Sequence, residues 1–212
     1  MSRNWLWLLI AAPMVMVLTF MSLMILDRDR SDSARPAVRV SGEADIGGPF
    51  TLVDHTGRTV TEADFLGRPM LIYFGYTYCP DVCPFSLQIM DGALRQMDPE
   101  DAARIQPVLI SIDPERDTVD SMAAYVASPA FPDGLVGLTG STEQVAAVLS
   151  EYRVVAQRAE DDQSNDYLMD HSSFLYLMDS QGKFADVFPH GTSTGDLAAR
   201  LQDFLETDEA SS

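Results

Sequence analysis

A long, predominantly apolar stretch runs from Trp5 to Leu26, and the rest of the chain breaks into shorter segments with strand and helix periodicities. The first run holds no charged residue over 22 positions, enough to cross a hydrocarbon core of about 30 Å as a helix. A cleaved secretory signal has a shorter apolar region that ends in small residues. This one ends in Ser22-Leu-Met-Ile-Leu26 and passes straight into Asp27-Arg-Asp-Arg30. The pattern predicts an uncleaved transmembrane anchor over residues 1–26 and a polar linker over 27–45. One domain over 46–206 and a disordered acidic tail over 207–212 follow.

Within the domain, Phe50–Asp54 and Arg58–Val60 flank His55-Thr-Gly57 and predict a β-hairpin, after which Thr61 reads as a helix N-cap. Pro69–Tyr76 is a continuous apolar run of strand length, the pattern of a strand buried on both faces. Apolar residues at 87, 90, 94 and 97 then have helical spacing. Ile105–Ile112 predicts a second buried strand, and Asp117 or Thr118 starts a helix through Tyr125. A short strand at Leu135–Leu138 precedes a capping box, Ser141-Thr-Glu-Gln144, that opens a helix to about Tyr152. Arg153–Gln157 continues as a strand, Ser173–Met178 and Lys183–Phe188 form a hairpin, and a helix runs from Ser193 to Leu205. Strands alternating with helices and closed by a hairpin indicate an α/β sandwich with a mixed sheet.

The chain of 212 residues has a formal net charge of −18, and its first 40 residues carry five Arg against three Asp. The acidic excess therefore lies in the domain, which argues against nucleic acid and anionic lipid as partners. Charge leaves the orientation of the anchor open: Arg3 precedes it, while Arg28, Arg30 and Arg35 follow it.

The two cysteines, Cys79 and Cys83, lie just after the first buried strand, in Tyr-Cys79-Pro80-Asp81-Val82-Cys83-Pro84. A strand feeding a helix there puts both thiols near a helix N-terminus, which favours the thiolate that binds metal or attacks a disulfide. A passive disulfide would close only a tiny loop and add little stability. Two intervening residues would point to thioredoxin-like redox work. Three leave the sulfurs a turn apart, able to pair or to grip one ion. Two thiolates suit linear Cu(I), and an added imidazole suits Cu(I) or Cu(II). A closed zinc site would want a fourth ligand, and Asp81 reads more simply as the cap of the helix. His55 in the hairpin turn, His190 after Phe188-Pro189, and His171 between the acidic stretch 160–166 and an apolar strand are the candidate nitrogen donors. Position alone does not choose among them. Met169 offers a thioether beside His171, though methionine more often fills core gaps.

Phe74-Gly75-Tyr76-Thr77-x-Cys79-Pro80-Asp81-Val82-Cys83-Pro84, with Asp170-His171-Ser172 before an apolar strand and Asp179-x-x-Gly182 after it, closely resembles the Sco/SenC family. The resemblance covers about residues 45–206 and extends to the single N-terminal anchor. It implies a thioredoxin-like sandwich with a central mixed sheet, preceded by one transmembrane helix that has its N-terminus in the cytoplasm. The domain is then on the periplasmic side of the inner membrane. It implies copper as the metal, with Cys79, Cys83 and His171 as ligands. The implied function is copper delivery to, or thiol reduction of, the dinuclear copper site of cytochrome c oxidase. Its partners would be the copper-bearing subunit, other periplasmic copper chaperones and thiol reductants. Asp170 is then expected to orient the imidazole from behind. A metallochaperone is the first reading and a thiol–disulfide oxidoreductase using the same sulfurs the second. A peroxidase comes last, because Thr77-x-Cys79 is one residue short of the peroxiredoxin Thr-x-x-Cys.

Overall fold

The computed structural model describes residues 46–159 and 167–209. In chain order the elements are β1 (Thr51–Asp54), β2 (Thr59–Thr61), β3 (Met70–Gly75), α1 (Val82–Gln96), β4 (Gln106–Ser111), α2 (Val119–Val126), β5 (Val136–Thr139), α3 (Thr142–Glu151), β6 (Ala156–Arg158), β7 (Met169–His171), β8 (Phe174–Met178), β9 (Phe184–Pro189) and α4 (Thr194–Glu209). Single helical turns occur at Glu62–Phe65 and Pro99–Ala102.

The hairpin forms because Asp54 closes its turn. Its carboxylate accepts from the Thr56 N–H and hydroxyl and from the Arg58 N–H, at 2.8, 2.6 and 3.0 Å. Gly57 takes the left-handed backbone position, φ 87°, that the turn requires. β1 then pairs antiparallel with both β2 and β5. The sheet continues in the order β2-β1-β5-β4-β3-β8-β9, parallel from β5 to β3 and antiparallel at either edge. This is the mixed central sheet that the resemblance implies. Every residue of β3 is buried. Phe74 packs against Tyr152 at the end of α3, ring centroids 5.3 Å apart, while Tyr73 and Gly75 turn to the other face and meet Cys83 of α1. Helices thus cover both faces, and that is why the Met70–Tyr76 run lacks polar alternation.

The structure departs from the sequence reading in four places. The strand expected at Arg153–Gln157 begins only at Ala156, because Arg153 ends α3 with a left-handed backbone, φ 55°, that no strand contains. That strand does not join the main sheet. It pairs antiparallel with β7 in a separate two-stranded ribbon, so His171 lies on a strand and not in a loop. Asp81, expected to cap α1, makes no side-chain cap bond. Finally, α4 runs on to Glu209, so residues 207–209 continue the helix instead of starting the tail. The predicted anchor (1–26), the linker (27–45), the acidic stretch 160–166 and the last residues of the tail lie outside the described residues. No described helix is long and apolar enough to cross a membrane.

Candidate metal centre

Cys79 sits on the turn between β3 and α1, and Cys83 in the first turn of α1. Cys83 is fully buried and Cys79 half-buried, and both are free thiols. The Cys83 backbone N–H donates to Cys79 Sγ at 3.3 Å. The sulfur therefore takes the orphan donor that Asp81 was expected to take, at the positive end of the helix dipole.

This environment separates the two thiols. Cys79 is lowered to about 3, first by the Cys83 thiol donating to it, against the cost of burial, and further by His171 and by the Asp81 and Cys83 backbone N–H groups. The Cys83 thiol is pushed up, by giving its proton to Cys79 and by burial. In the metal-free reduced pair, Cys79 is the thiolate and Cys83 holds the shared proton.

His171 joins them from the β6–β7 ribbon. Its Nε2 lies 3.7 Å from Cys83 Sγ, and the ring also reaches Cys79. A sulfur and a nitrogen held by one first-row ion at about 2.3 and 2.0 Å, with bond angles near 110–120°, stand about 3.5–3.8 Å apart. The observed spacing fits that. On the other side of the ring, Nδ1 lies 3.2 Å from the Ser172 carbonyl oxygen. A proton on Nδ1 donated there leaves the Nε2 lone pair aimed at the sulfurs. Asp170, expected in that orienting role, is exposed and lies opposite Gln157 across the ribbon. Among the described residues no group of three His, Cys, Asp or Glu side chains is already drawn together around one point. The three side chains are neighbours without standing around a common point.

The other candidates are engaged elsewhere. His55 Nδ1 accepts from the Gly137 N–H at 3.2 Å and ties the hairpin to β5. His190 is exposed, its ring 5.8 Å from that of Phe85. Met169 packs against the core, and its backbone N–H donates to the Tyr76 hydroxyl at 3.2 Å. Thr77, which the peroxidase reading needs as a partner of Cys79, gives its hydroxyl to Asp117 at 2.6 Å.

The groups that hold the site in place were not legible in the motif. Asp117 is buried. It accepts from the Thr77 N–H and hydroxyl and from the Ser111 hydroxyl, so the end of β4 fixes the turn that presents Cys79. Burial raises its pKa while those three donors oppose the rise. Tyr167, at the start of the ribbon, donates to the buried Asp113 at 2.6 Å. The guanidinium carbons of Arg116 and Arg158 each lie 3.6 Å from its ring centroid, a distance at which they cannot share a face. They sandwich the ring and fasten the ribbon to the loop after β4. Polar residues at the end of a buried strand and just after it, Ser111, Asp113 and Asp117, are the one sequence signal that points to this support.

Residues 38–206 match the SCO1/SenC family. The chain is 42% identical over 169 residues to a protein named SCO2 homolog, mitochondrial, of Bos taurus, covering 79% of this chain and 62% of that protein. It is also 42% identical over 161 residues to the SCO1 homolog, mitochondrial, of Homo sapiens, covering 76% of this chain and 53% of that one. The match thus spans little more than half the length of these curated relatives. Among solved structures, copper-bound ScoI of Bradyrhizobium japonicum superposes with a TM-score of 0.67 at 42% identity, covering 75% of this chain and 99% of that one. Copper-bound ScoI of Arabidopsis thaliana gives 0.70 at 36% identity, covering 76% and 99%. With its sulfur pair, its facing imidazole and its mixed sheet, the chain belongs to the SCO1/SenC family.

Proposed function

We propose that this chain is a copper metallochaperone that holds one copper ion through Cys79, Cys83 and His171. It delivers that ion to, or prepares, the dinuclear copper site of cytochrome c oxidase. The observation that carries the reading is the approach of His171 Nε2 to the Cys83 sulfur, 3.7 Å, from an element remote in sequence. Thiol exchange does not need that imidazole, whereas copper capture does. The two thiolates suit Cu(I), and the nitrogen adds the donor that Cu(II) prefers. The copper-bound relatives support the choice of metal. A relative of 20% identity is described as a member of the Sco family of cytochrome c oxidase assembly proteins, in keeping with the proposed recipient. In this reading the apolar segment Trp5–Leu26 anchors the chain in the inner membrane, with the domain on the periplasmic side.

The second reading is a thiol–disulfide oxidoreductase that reduces the cysteines of the recipient. It is favoured by the strongly acidic, half-exposed Cys79 beside a buried partner thiol. His171→Ala separates the two. It is expected to abolish the intense thiolate-to-Cu(II) absorption while Cys79 and Cys83 still close a disulfide. A variant that keeps the wild-type Cu(II) spectrum would overturn the ligand assignment.

A further inference from the structure

The segment just after β4 meets both halves of the site, and Arg116 stands where they meet. Its side chain is 13% exposed, and its Nε donates to the buried Asp113 carboxylate at 2.5 Å. Its Nη2 is buried with no hydrogen-bond partner, whereas buried donors are nearly always paired. Three tyrosine rings surround this guanidinium. Its carbon lies 3.6 Å from the ring centroid of Tyr167, 4.8 Å from that of Tyr78 and 5.7 Å from that of Tyr76. The face of an aromatic ring is its negative part, so it attracts a guanidinium where oxygen acceptors are missing. Tyr76 and Tyr78 belong to the turn that presents Cys79, and Tyr167 stands just before β7, the strand that carries His171. The ion pair grips Tyr167 twice: Asp113 takes its hydroxyl proton at 2.6 Å, and Arg116 lies over its face. Tyr76 in turn stands edge-on to the His171 ring, centroids 6.1 Å apart, and its hydroxyl accepts from the Met169 N–H.

We propose that Arg116 is a positioning residue that ties the turn bearing Cys79 to the ribbon bearing His171, so that the sulfurs and the imidazole keep one spacing. The β6–β7 ribbon is not part of the main sheet, so side chains must fix its place against the sulfurs. An arginine suits that task. It is always charged, and its guanidinium is flat enough to stack on rings from two elements at once. Its charge is balanced inside the same cluster by Asp113, which is 3% exposed. The Ser121 hydroxyl, donating to the Arg116 carbonyl at 3.2 Å, anchors the backbone of the hub to α2.

Arg116→Met keeps most of the side-chain volume and removes the charge. Amide hydrogen exchange, followed by NMR on the metal-free protein, reads the two segments separately. In the ribbon the Met169 and Ser172 N–H groups donate to the Tyr76 hydroxyl and the Val155 carbonyl; in the turn the Cys79 N–H donates to the Tyr76 carbonyl. The protection of all three amides is expected to fall about tenfold. That of Asp54 and His55, in the hairpin at the far edge of the sheet, should stay within about twofold. Tyr78→Leu is the second variant, since a ring that is 55% exposed can be lost without unfolding the domain. Although the change lies in the turn, it should lower ribbon protection by about threefold, and it decides the matter if Arg116→Met does not fold. The Cu(II) affinity of Arg116→Met, measured against a competing chelator, is expected to fall about tenfold. The affinity measurement rests on the copper reading; amide exchange does not, and it decides the matter if neither protein binds copper. Wild-type ribbon protection in either variant would overturn the proposal, as would wild-type Cu(II) affinity in Arg116→Met where both proteins bind the ion. So would ribbon loss in Arg116→Met with the Cys79 amide unchanged, because Arg116 would then hold the ribbon alone. An equal loss in the hairpin would overturn it too, because the effect would then be global.

Discussion

Gly75, the last residue of β3, tests how tightly the protein is packed under its sulfurs. Its backbone is not among the positive-φ glycines, so the requirement is for space and not for conformation. In Gly75→Ala the new Cβ would meet Tyr73 Cε1 at 2.7 Å and Cys83 Sγ at 3.0 Å. Unstrained carbon–carbon contacts lie near 3.5–4.0 Å, so the ring would have to retreat by about 1 Å. Both neighbours are fully buried, and the Tyr73 ring sits edge-on to His171 with centroids 6.1 Å apart. Overpacking of this kind costs about 1–3 kcal/mol. The loss of chain entropy in the unfolded state returns about 0.4–1 kcal/mol. The net expectation is a destabilisation of about 1–2 kcal/mol, or roughly 2–8 °C in Tm for a domain of this size. Displacing the Cys83 sulfur should also weaken Cu(I) binding by about tenfold, near 1.4 kcal/mol. Thermal melting followed by circular dichroism, with chelator competition on the same samples, reads both effects. A variant that melts at or above the wild-type temperature would refute the packing argument, and unchanged affinity would show that the sulfur does not feel the added methyl group.

Two further outcomes follow from other parts of the molecule. Asp54 is 5% exposed; burial raises its carboxyl pKa, but the Thr56 and Arg58 donors outweigh burial and hold it at about 2, against 3.8 in the unfolded chain. A depressed carboxyl contributes stability above the unfolded value, and that contribution, about 2 kcal/mol here, is lost as pH falls from about 4 through 2. Urea unfolding of Asp54→Asn should therefore show a deficit of about that size at pH 7 that shrinks toward pH 2, and a deficit independent of pH would refute the assignment. Tyr167→Phe keeps the ring between its two arginines but strips Asp113 of one donor. It should lower unfolding stability by about 2 kcal/mol and weaken Cu(II) binding more than Cu(I) binding, because it loosens the ribbon that carries His171 and not the sulfurs. Equal losses for the two oxidation states would argue against that division of labour.

The sequence by itself determined the main sheet and the sulfur half of the site. Met70–Gly75 and Gln106–Ser111 are legible as buried strands because helices on both faces remove every polar alternation, and Cys79 and Cys83 are legible because the strand ends where they begin. Ser141 and Gln144 marked a helix start correctly through a purely local bond pattern. What failed was what local pattern does not encode. A three-residue strand such as Met169–His171 carries no period to read, and nothing in the strand read at Arg153–Gln157 told that its partner would be that segment and not the main sheet. The cap of α1 fell to a cysteine sulfur in place of Asp81, because that sulfur reaches back over the first turn. The choice of His171 over His55 and His190 came from family resemblance, and its physical basis is tertiary. The ribbon, clamped by Tyr167 and by the bond from Met169 to Tyr76, carries an imidazole across 88 residues of sequence to within 3.7 Å of Cys83. Spacing in the chain told which atoms can bind a soft metal. Only the packing of separate elements decided which nitrogen stands beside them.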